Sequence, residues 1–317
     1  TLEMSDIHRV IAVTESSQTL AAKVAARDLA DRTGFDDTDA HRAGLVATEM
    51  ATNLVKHAPS GGEILIRRVG AELEVLAIDR GPGMADLSMS FSDGHSTSGS
   101  AGTGLGAIRR LSDEFDVFSR RPSGTVLFSR LRARTARHVS PHGFEVGLIA
   151  VAKTGEEVSG DGWYVAGGPA AMTMLLADGL GHGIGPADAA NAAVAAFLPY
   201  TNAPPSEALR AVHHAVSHTR GAAAAVVSLS RSPALVKYAG VGNISGSITI
   251  NGTMRHAVSH NGTLGHEARI FREYSYPWEK DAIFVMHSDG LSSHWSLDAY
   301  PGLRTRHPSV IAAVLFR

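Results

Sequence analysis

The sequence predicts a mixed α/β (α+β) chain of two domains, and three observations carry that expectation. Its 317 residues are more than one hydrophobic core usually organises. Runs with helical spacing and short apolar runs with strand character succeed one another along the whole length. Between them, Arg132 to Gly143 holds arginines, a proline and no periodicity. That stretch reads as a linker between a first domain over 1–131 and a second over 144–317.

Composition narrows the function classes. An apolar content of 44% is that of an ordinary globular protein, and a formal charge of −2 argues against a nucleic-acid surface. The absence of cysteine excludes disulfides, cysteine–zinc sites and a cysteine nucleophile, and fits a reducing compartment. The opening Thr-Leu-Glu-Met-Ser-Asp lacks the basic and apolar parts of a secretory signal. No apolar run approaches the roughly 18 residues of a membrane span. The expected location is the cytoplasm, with no membrane partner.

In the first domain, His8 to Thr14 reads as a strand. Ser17 is placed to cap a helix over Leu20 to Asp31, with Leu20, Val24 and Leu29 as its apolar face and Gly34 as its stop. Thr38 or Asp37 caps the next, longer helix. Pro59 to Gly62 is a turn, and Glu63–Arg67 and Leu73–Asp79 are strands joined by a hairpin at Gly70-Ala71. Glu114 to Ser119 and Thr125 to Leu131 supply the last two strands of this half.

The long helix carries Glu49, Asn53 and His57 at intervals of four, which puts them on one stripe beside Val46, Met50 and Leu54. A carboxylate and an amide at the edge of a buried face need partners there. His57 reads as a helix-end packing residue. Further on, Ile78-Asp79-Arg80-Gly81-Pro82-Gly83 closes a strand, and glycines at that point let backbone approach a flat ligand. Met84 to Ala101 is polar, rich in serine and glycine, and long for a plain connection; a working lid is one reading, disorder the other. Gly102-Thr103-Gly104-Leu105-Gly106 then opens a helix whose free N–H groups would face phosphate, with Arg109 or Arg110 as a source of positive charge or as a solvated face.

These three motifs, in this order, resemble the Bergerat-type ATP-binding fold shared by gyrase and histidine kinases, and more closely its small anti-sigma and switch-kinase branch (RsbT-like). The resemblance implies an α/β sandwich that binds ATP and Mg2+. Asp79 would accept the adenine amino group. Gly81, Gly83, Gly102, Thr103, Gly104, Leu105 and Gly106 would line the nucleotide, Asn53 would hold magnesium, and Glu49 would be the general base toward a Ser or Thr hydroxyl. The short stretch before the Glu49 helix leaves no room for a dimerising helix pair with a phosphoacceptor histidine, which disfavours a sensor histidine kinase.

In the second domain, Phe144 to Lys153 reads as a strand, followed by Ser159-Gly160-Asp161-Gly162-Trp163. Ala171 to Ala177 is an apolar strand ending in Asp178-Gly179-Leu180-Gly181-His182-Gly183, and Ile283 to Met286 is another ending in Ser288-Asp289-Gly290. Gly183–Leu198 and Ser206–His218 read as helices, with strands over Ala222–Leu229, Ala234–Gly240 and Ile244–Ile250. Aspartates recurring at strand exits can converge, and converging carboxylates repel unless a hard divalent cation sits between them. His213, His214 and His218 have chelating spacing but no third ligand type nearby, and read as exposed helix residues. The loop His260 to Gly265 is either a surface hairpin or a substrate-side loop.

The series GDGW, ADGLGHG, GVGN (Gly240 to Asn243) and SDG resembles the metal-dependent Ser/Thr phosphatases of the sporulation and stress-response branch (SpoIIE-like, RsbX-like). The resemblance implies an α-β-β-α sandwich with two Mn2+ or Mg2+ ions that activate water for in-line attack. Asp161 and Asp178 would bridge the metals, the Gly179 carbonyl would be a further ligand, and Asp289 would hold one metal. That pattern usually closes with an Asp-Asp pair on a final strand. The sequence reaches Arg317 about where that strand would begin, so either more chain follows or that ligand is absent.

Together the resemblances imply a bifunctional regulator that phosphorylates and dephosphorylates Ser or Thr of a STAS-type anti-sigma-factor antagonist, with a sigma factor as a further partner. The alternative is a first domain that acts as a nucleotide-gated anti-sigma binding module without kinase turnover.

Overall fold

The computed structural model describes residues 7–84, 104–134 and 143–317, less 157, 169, 182, 183 and 293. The proposed lid, Gly102 and Thr103 lie outside these residues apart from Met84. Two compact units emerge. The first takes the described residues of Met4–Val139 together with Val146–Val151 and Gly302–Arg317. The second takes those of Ser140–Glu145 and Ala152–Pro301. The units therefore do not follow the chain boundaries expected above, because 146–151 and 302–317, expected in the second domain, pack with the first.

Alternating apolar residues build the first unit's sheet. Strands β1 (Arg9–Val13), β2 (Gly62–Val69), β3 (Glu72–Asp79), β4 (Glu114–Arg120) and β5 (Gly124–Arg132) lie in the order β1-β2-β3-β5-β4. Every pair is antiparallel. One face presents Ile64, Ile66, Leu73, Val75, Ala77, Leu127 and Leu131 to a core shared with α1 (Gln18–Thr33), α2 (Asp37–His57) and α3 (Gly104–Leu111).

The expected apolar face of α1 is corrected by the structure. Leu20 and Val24 are 64% and 56% exposed, while Ala22, Ala25, Ala26 and Ala30 are buried. The reason is close packing: α2 turns Ala40, Ala43, Gly44 and Ala47 to the same core, and a Cβ on Gly44 would stand 2.9 Å from Arg27 Cγ. Small side chains let the two helices approach where leucines would hold them apart. The start of α2 also differs. Asp36, not Thr38 or Asp37, is the cap; its extended backbone lets Oδ1 accept the N–H of Asp39 at 2.8 Å.

The opposite sheet face is polar at its centre. Glu74 is 0% exposed. It accepts hydrogen bonds from Arg67 Nε at 2.9 Å, Arg130 Nη2 at 2.6 Å and Ser309 Oγ at 2.7 Å. Burial alone would raise its pKa, but Arg67, His8 and Arg130 hold the carboxyl well below the usual carboxylate range. Ser309 belongs to α6 (Pro308–Phe316), whose entry is pinned by the His307 N–H on Asp116 Oδ2 at 2.6 Å and by His307 stacked 4.0 Å over Phe128. Val146–Val151 runs beside this helix rather than as the strand expected over Phe144–Lys153. A Cβ on Gly147 would stand 2.0 Å from the Pro308 carbonyl carbon, and Ala150 accepts the His8 N–H at 2.8 Å. Ala150 in turn donates its N–H to His8 Nδ1 at 3.2 Å, and no ladder forms over the segment. Removing the Glu74 carboxylate would break its short pairs with Arg67 and Arg130 and leave Arg130 only the longer contacts with Glu72 and Glu114. Glu74→Ala is therefore expected to destabilise this unit by about 3–5 kcal/mol in urea denaturation; a loss within about 0.5 kcal/mol would show the network to be incidental.

In the second unit, β6 (Asp161–Gly167), β7 (Ala171–Gly179), β8 (Ala222–Arg231), β9 (Ala234–Val241) and β12 (Ser259–His260) form one sheet in the order β12-β9-β8-β7-β6, with β13 (Tyr274–Pro277) also on β9. A second sheet runs β11 (Thr253–His256), β10 (Ser245–Ile250), β14 (Ile283–His287). Strand β8 shows how the layers stack. Ala224 and Val226 face a core with α4 (Ile184–Phe197) and α5 (Pro205–Ala215), whereas Ala223, Ala225, Val227 and Leu229 face a core with Ile248, Phe284 and Met286 of the other sheet. Among the described residues, no helix is long and apolar enough to cross a membrane.

Candidate functional site

The first unit gathers its polar cluster where α2, the end of β3 and the start of α3 meet. Asp79 is the last residue of β3, and its Oδ1 accepts the N–H of Gly81 at 2.7 Å and of Thr125 at 3.2 Å. Burial pushes the Asp79 carboxyl up, against the pull of those two N–H groups and of Arg317 and His57. A Cβ on Gly81 would stand 2.9 Å from Asp79 Oδ1 and 3.2 Å from the His57 carbonyl, so a side chain there would press on the Asp79 carboxylate. Gly83 backs onto the Arg120 carbonyl in the same way, at 2.5 Å. The turn after Asp79 is thus a thin wall of bare backbone.

Asn53 faces that wall's other boundary. A Cβ on Gly104 would stand 3.6 Å from Asn53 Oδ1, so the amide points at the start of α3. Its Nδ2 is buried with no hydrogen-bond partner. An orphaned buried amide is costly unless a ligand completes it. An amide offers oxygen to a cation and N–H to a phosphate oxygen, so the residues present fit a magnesium nucleotide. Glu49, one turn earlier, is half-buried and forms no hydrogen bond or ion pair with any described residue. His57 is exposed at the helix end. Leu105 differs from Gly104 and Gly106: its side chain is 6% exposed and part of the core, so only its backbone is offered to a ligand.

The second unit gathers carboxylates at one end of its larger sheet. Asp161 opens β6 rather than following a strand, and it is the register partner of Asp178 near the end of β7. In an antiparallel pair the start of one strand meets the end of the next, which brings the two aspartates side by side. Asp289, just past β14, joins them through shared partners. Asn243 donates to Asp289 Oδ2 at 3.4 Å and also to Asp178. Ser288 Oγ donates to Asp161 Oδ2 at 2.7 Å. Gly179 is buried, and a Cβ there would stand 2.0 Å from the Pro186 carbonyl oxygen.

Burial first, then the charges of Asp161 and Asp289, push Asp178 up to about 7, with Asn243 pulling the other way. Burial and Asp289 likewise raise Asp161, against the Ser288 hydrogen bond. Among the described residues, no three His, Asp or Glu side chains stand ready to hold a metal ion. A cation here would therefore draw on the carboxylates together with oxygen donors of another kind, such as the Gly179 carbonyl and water. This all-oxygen donor set, with its mutual repulsion, fits a hard divalent ion. The histidine cluster does not: His213 Nδ1 accepts the Gly265 N–H at 3.0 Å and is committed to the loop, and Leu264 bridges to Ala222, so His260 to Gly265 is structural at its far end.

Sequence reasoning passed over Thr125, Asn243 and Ser288. Thr125 carried no signal. Ser288 and Asn243 sat inside quoted motifs, and their adjacency to aspartates was the available clue.

The raised Asp178 has a consequence for the metal-free protein. The folded state keeps a proton that the unfolded chain releases near pH 4. That contribution to stability is full below about pH 4 and is lost as pH rises through about 7. Stability to urea in chelator is expected to fall between about pH 5 and pH 8, and Asp178→Asn is expected to flatten that fall. An equal slope in the variant would acquit Asp178.

Comparison with known proteins gives the following. Residues 13–130 match the histidine kinase-like ATPase domain model, and residues 168–299 match that of stage II sporulation protein E (SpoIIE). The serine/threonine-protein kinase RsbT of Bacillus subtilis is 36% identical over 110 residues, which are 33% of this chain and 82% of that protein. The phosphoserine phosphatase RsbX of the same organism is 24% identical over 145 residues, 44% of this chain and 71% of that protein. A structure of the PP2C phosphatase domain and a regulatory fragment of Bacillus subtilis SpoIIE aligns over 95% of this chain and 90% of its own, at 14% identity and a TM-score of 0.47.

Proposed function

We propose that this chain, which belongs to the histidine kinase-like ATPase family of RsbT and carries a SpoIIE domain behind that first domain, adds and removes phosphate on the same regulatory partner. In the first domain Asn53, Asp79, Gly81 and Gly83, with Gly102, Thr103, Gly104, Leu105 and Gly106, hold ATP and Mg2+. The nucleotide, when bound, supplies the phosphoryl group and the ion screens its charge. Glu49 accepts the proton of the incoming Ser or Thr hydroxyl. Its lack of any described partner supports that role, because a base must be free to take the proton.

In the second domain Asp161, Asp178, the Gly179 carbonyl and Asp289 hold two Mn2+ or Mg2+ ions, which when bound supply Lewis acidity and an activated water. Asn243 and Ser288 orient the carboxylates. The partner read from the resemblance is a STAS-domain anti-sigma-factor antagonist in a partner-switching pathway.

The observation that carries this reading is that each unit holds one polar cluster left incomplete in a way a bound cation completes: an orphaned amide in one, repelling aspartates in the other. The test is incubation of the full chain with labelled ATP, magnesium and a STAS-domain antagonist. Label is expected on a Ser or Thr of the antagonist and is expected to leave it when manganese is added. Nucleotide-dependent capture of the partner without any label would favour the binding-module reading instead.

A further inference from the structure

We propose that Arg220 is the residue that binds the substrate's phosphoryl group in the phosphatase site, an assignment that rests on the metal-dependent phosphatase reading above.

The backbone at Arg220 is fixed, and its head is not. Thr219 Oγ1 accepts the Gly221 N–H at 3.0 Å and donates to the Val216 carbonyl at 2.7 Å, while His266 Nε2 donates to the Thr219 carbonyl at 3.1 Å. Gly221 in turn accepts the N–H of Leu180 at 3.1 Å. Leu180 directly follows Asp178-Gly179, and Gly179 is the register partner of Ala222. The turn that carries Arg220 is therefore stitched to the loop that leaves the candidate metal aspartates.

The guanidinium lies over Gly181 and Gly185. A Cβ on Gly181 would stand 3.3 Å from Arg220 Nη1, and one on Gly185 would stand 2.9 Å from Nε. Two residues without side chains leave the slot in which the planar head rests. Arg220 is exposed and forms no hydrogen bond or ion pair with any described residue. An exposed cation that no described carboxylate neutralises, on a turn bonded to the residue after Gly179, is available to another anion.

Charge arithmetic matches a phosphate monoester as that anion. Three ionised aspartates set against two divalent cations leave one positive charge. A phosphate monoester dianion overshoots this by one negative charge, and one guanidinium restores neutrality. Arginine also matches phosphate oxygens bidentately, as lysine does not.

The experiment compares the full chain with Arg220→Met and Arg220→Lys. It measures Mn2+ binding by calorimetry, hydrolysis of p-nitrophenyl phosphate with manganese, and competitive inhibition by inorganic phosphate. Arg220→Met is expected to raise both KM and the phosphate inhibition constant roughly tenfold to a hundredfold, with kcat changed less and Mn2+ affinity unchanged. Arg220→Lys is expected to recover part of the loss. Unchanged KM and inhibition constant in Arg220→Met would overturn the proposal while leaving the metal site standing. Loss of Mn2+ binding in that variant would overturn it in favour of a purely structural role. Absence of Mn2+-dependent hydrolysis in the unsubstituted chain would remove the phosphatase reading, and the proposal with it.

Discussion

Asp178→Asn is expected to cut manganese-dependent release of phosphate from a phosphorylated partner by about a hundredfold or more, while leaving the chain folded. The substitution keeps the side-chain volume and removes one negative charge from the middle of the cluster. Asp178 is the residue on which the site converges: Asp161 is its register partner, Asn243 bonds to it, and the charges of both other aspartates act on it. Without a metal those charges repel, so the Asn variant should be no less stable than the parent near neutral pH. The pairing of outcomes is what matters. Lost turnover with retained stability marks a carboxylate kept for a ligand, whereas lost turnover through unfolding would mark an ordinary structural residue. Release at the parental rate would refute the site.

Glu49→Gln carries the second large effect. If Glu49 is the general base, labelling of the partner from ATP should fall about 10²–10⁴-fold, the range such groups supply. Nucleotide affinity should hold, because the groups assigned to the nucleotide are Asn53, one turn further along α2, and Asp79 with its glycine turn. Glutamine preserves size and polarity, and Glu49 has no described partner to lose, so packing gives no route to the same result. A variant that binds nucleotide and labels the partner normally would return the first domain to the binding-module reading.

Much of both candidate sites was legible because local rules place them. Intervals of four set Glu49 and Asn53 on one helical stripe, and Asp79 and Asp178 fall where apolar strands run out. What was not legible depends on contacts distant in sequence. The buried face of α1 is alanine rather than leucine because of how closely α2 packs, and hydrophobicity alone pointed to Leu20 and Val24. The placement of Gly302–Arg317 with the first unit rests on Ser309 reaching Glu74, a pairing no local pattern announces. Asp161 was found by its motif, yet the reason it meets Asp178 is antiparallel register, since it begins a strand rather than ending one. Arg220 belonged to no motif that was read, and only Gly181 and Gly185 under its guanidinium single it out.

The central claim is that one polypeptide holds two separate sites with opposite chemistry. The most direct measurement uses a partner already labelled on Ser or Thr, mixed with the Glu49→Gln chain and manganese, with the label followed over time. The account predicts that label leaves at the parental rate, because the damaged base and the aspartate cluster serve different reactions. Label that stays on the partner would contradict it.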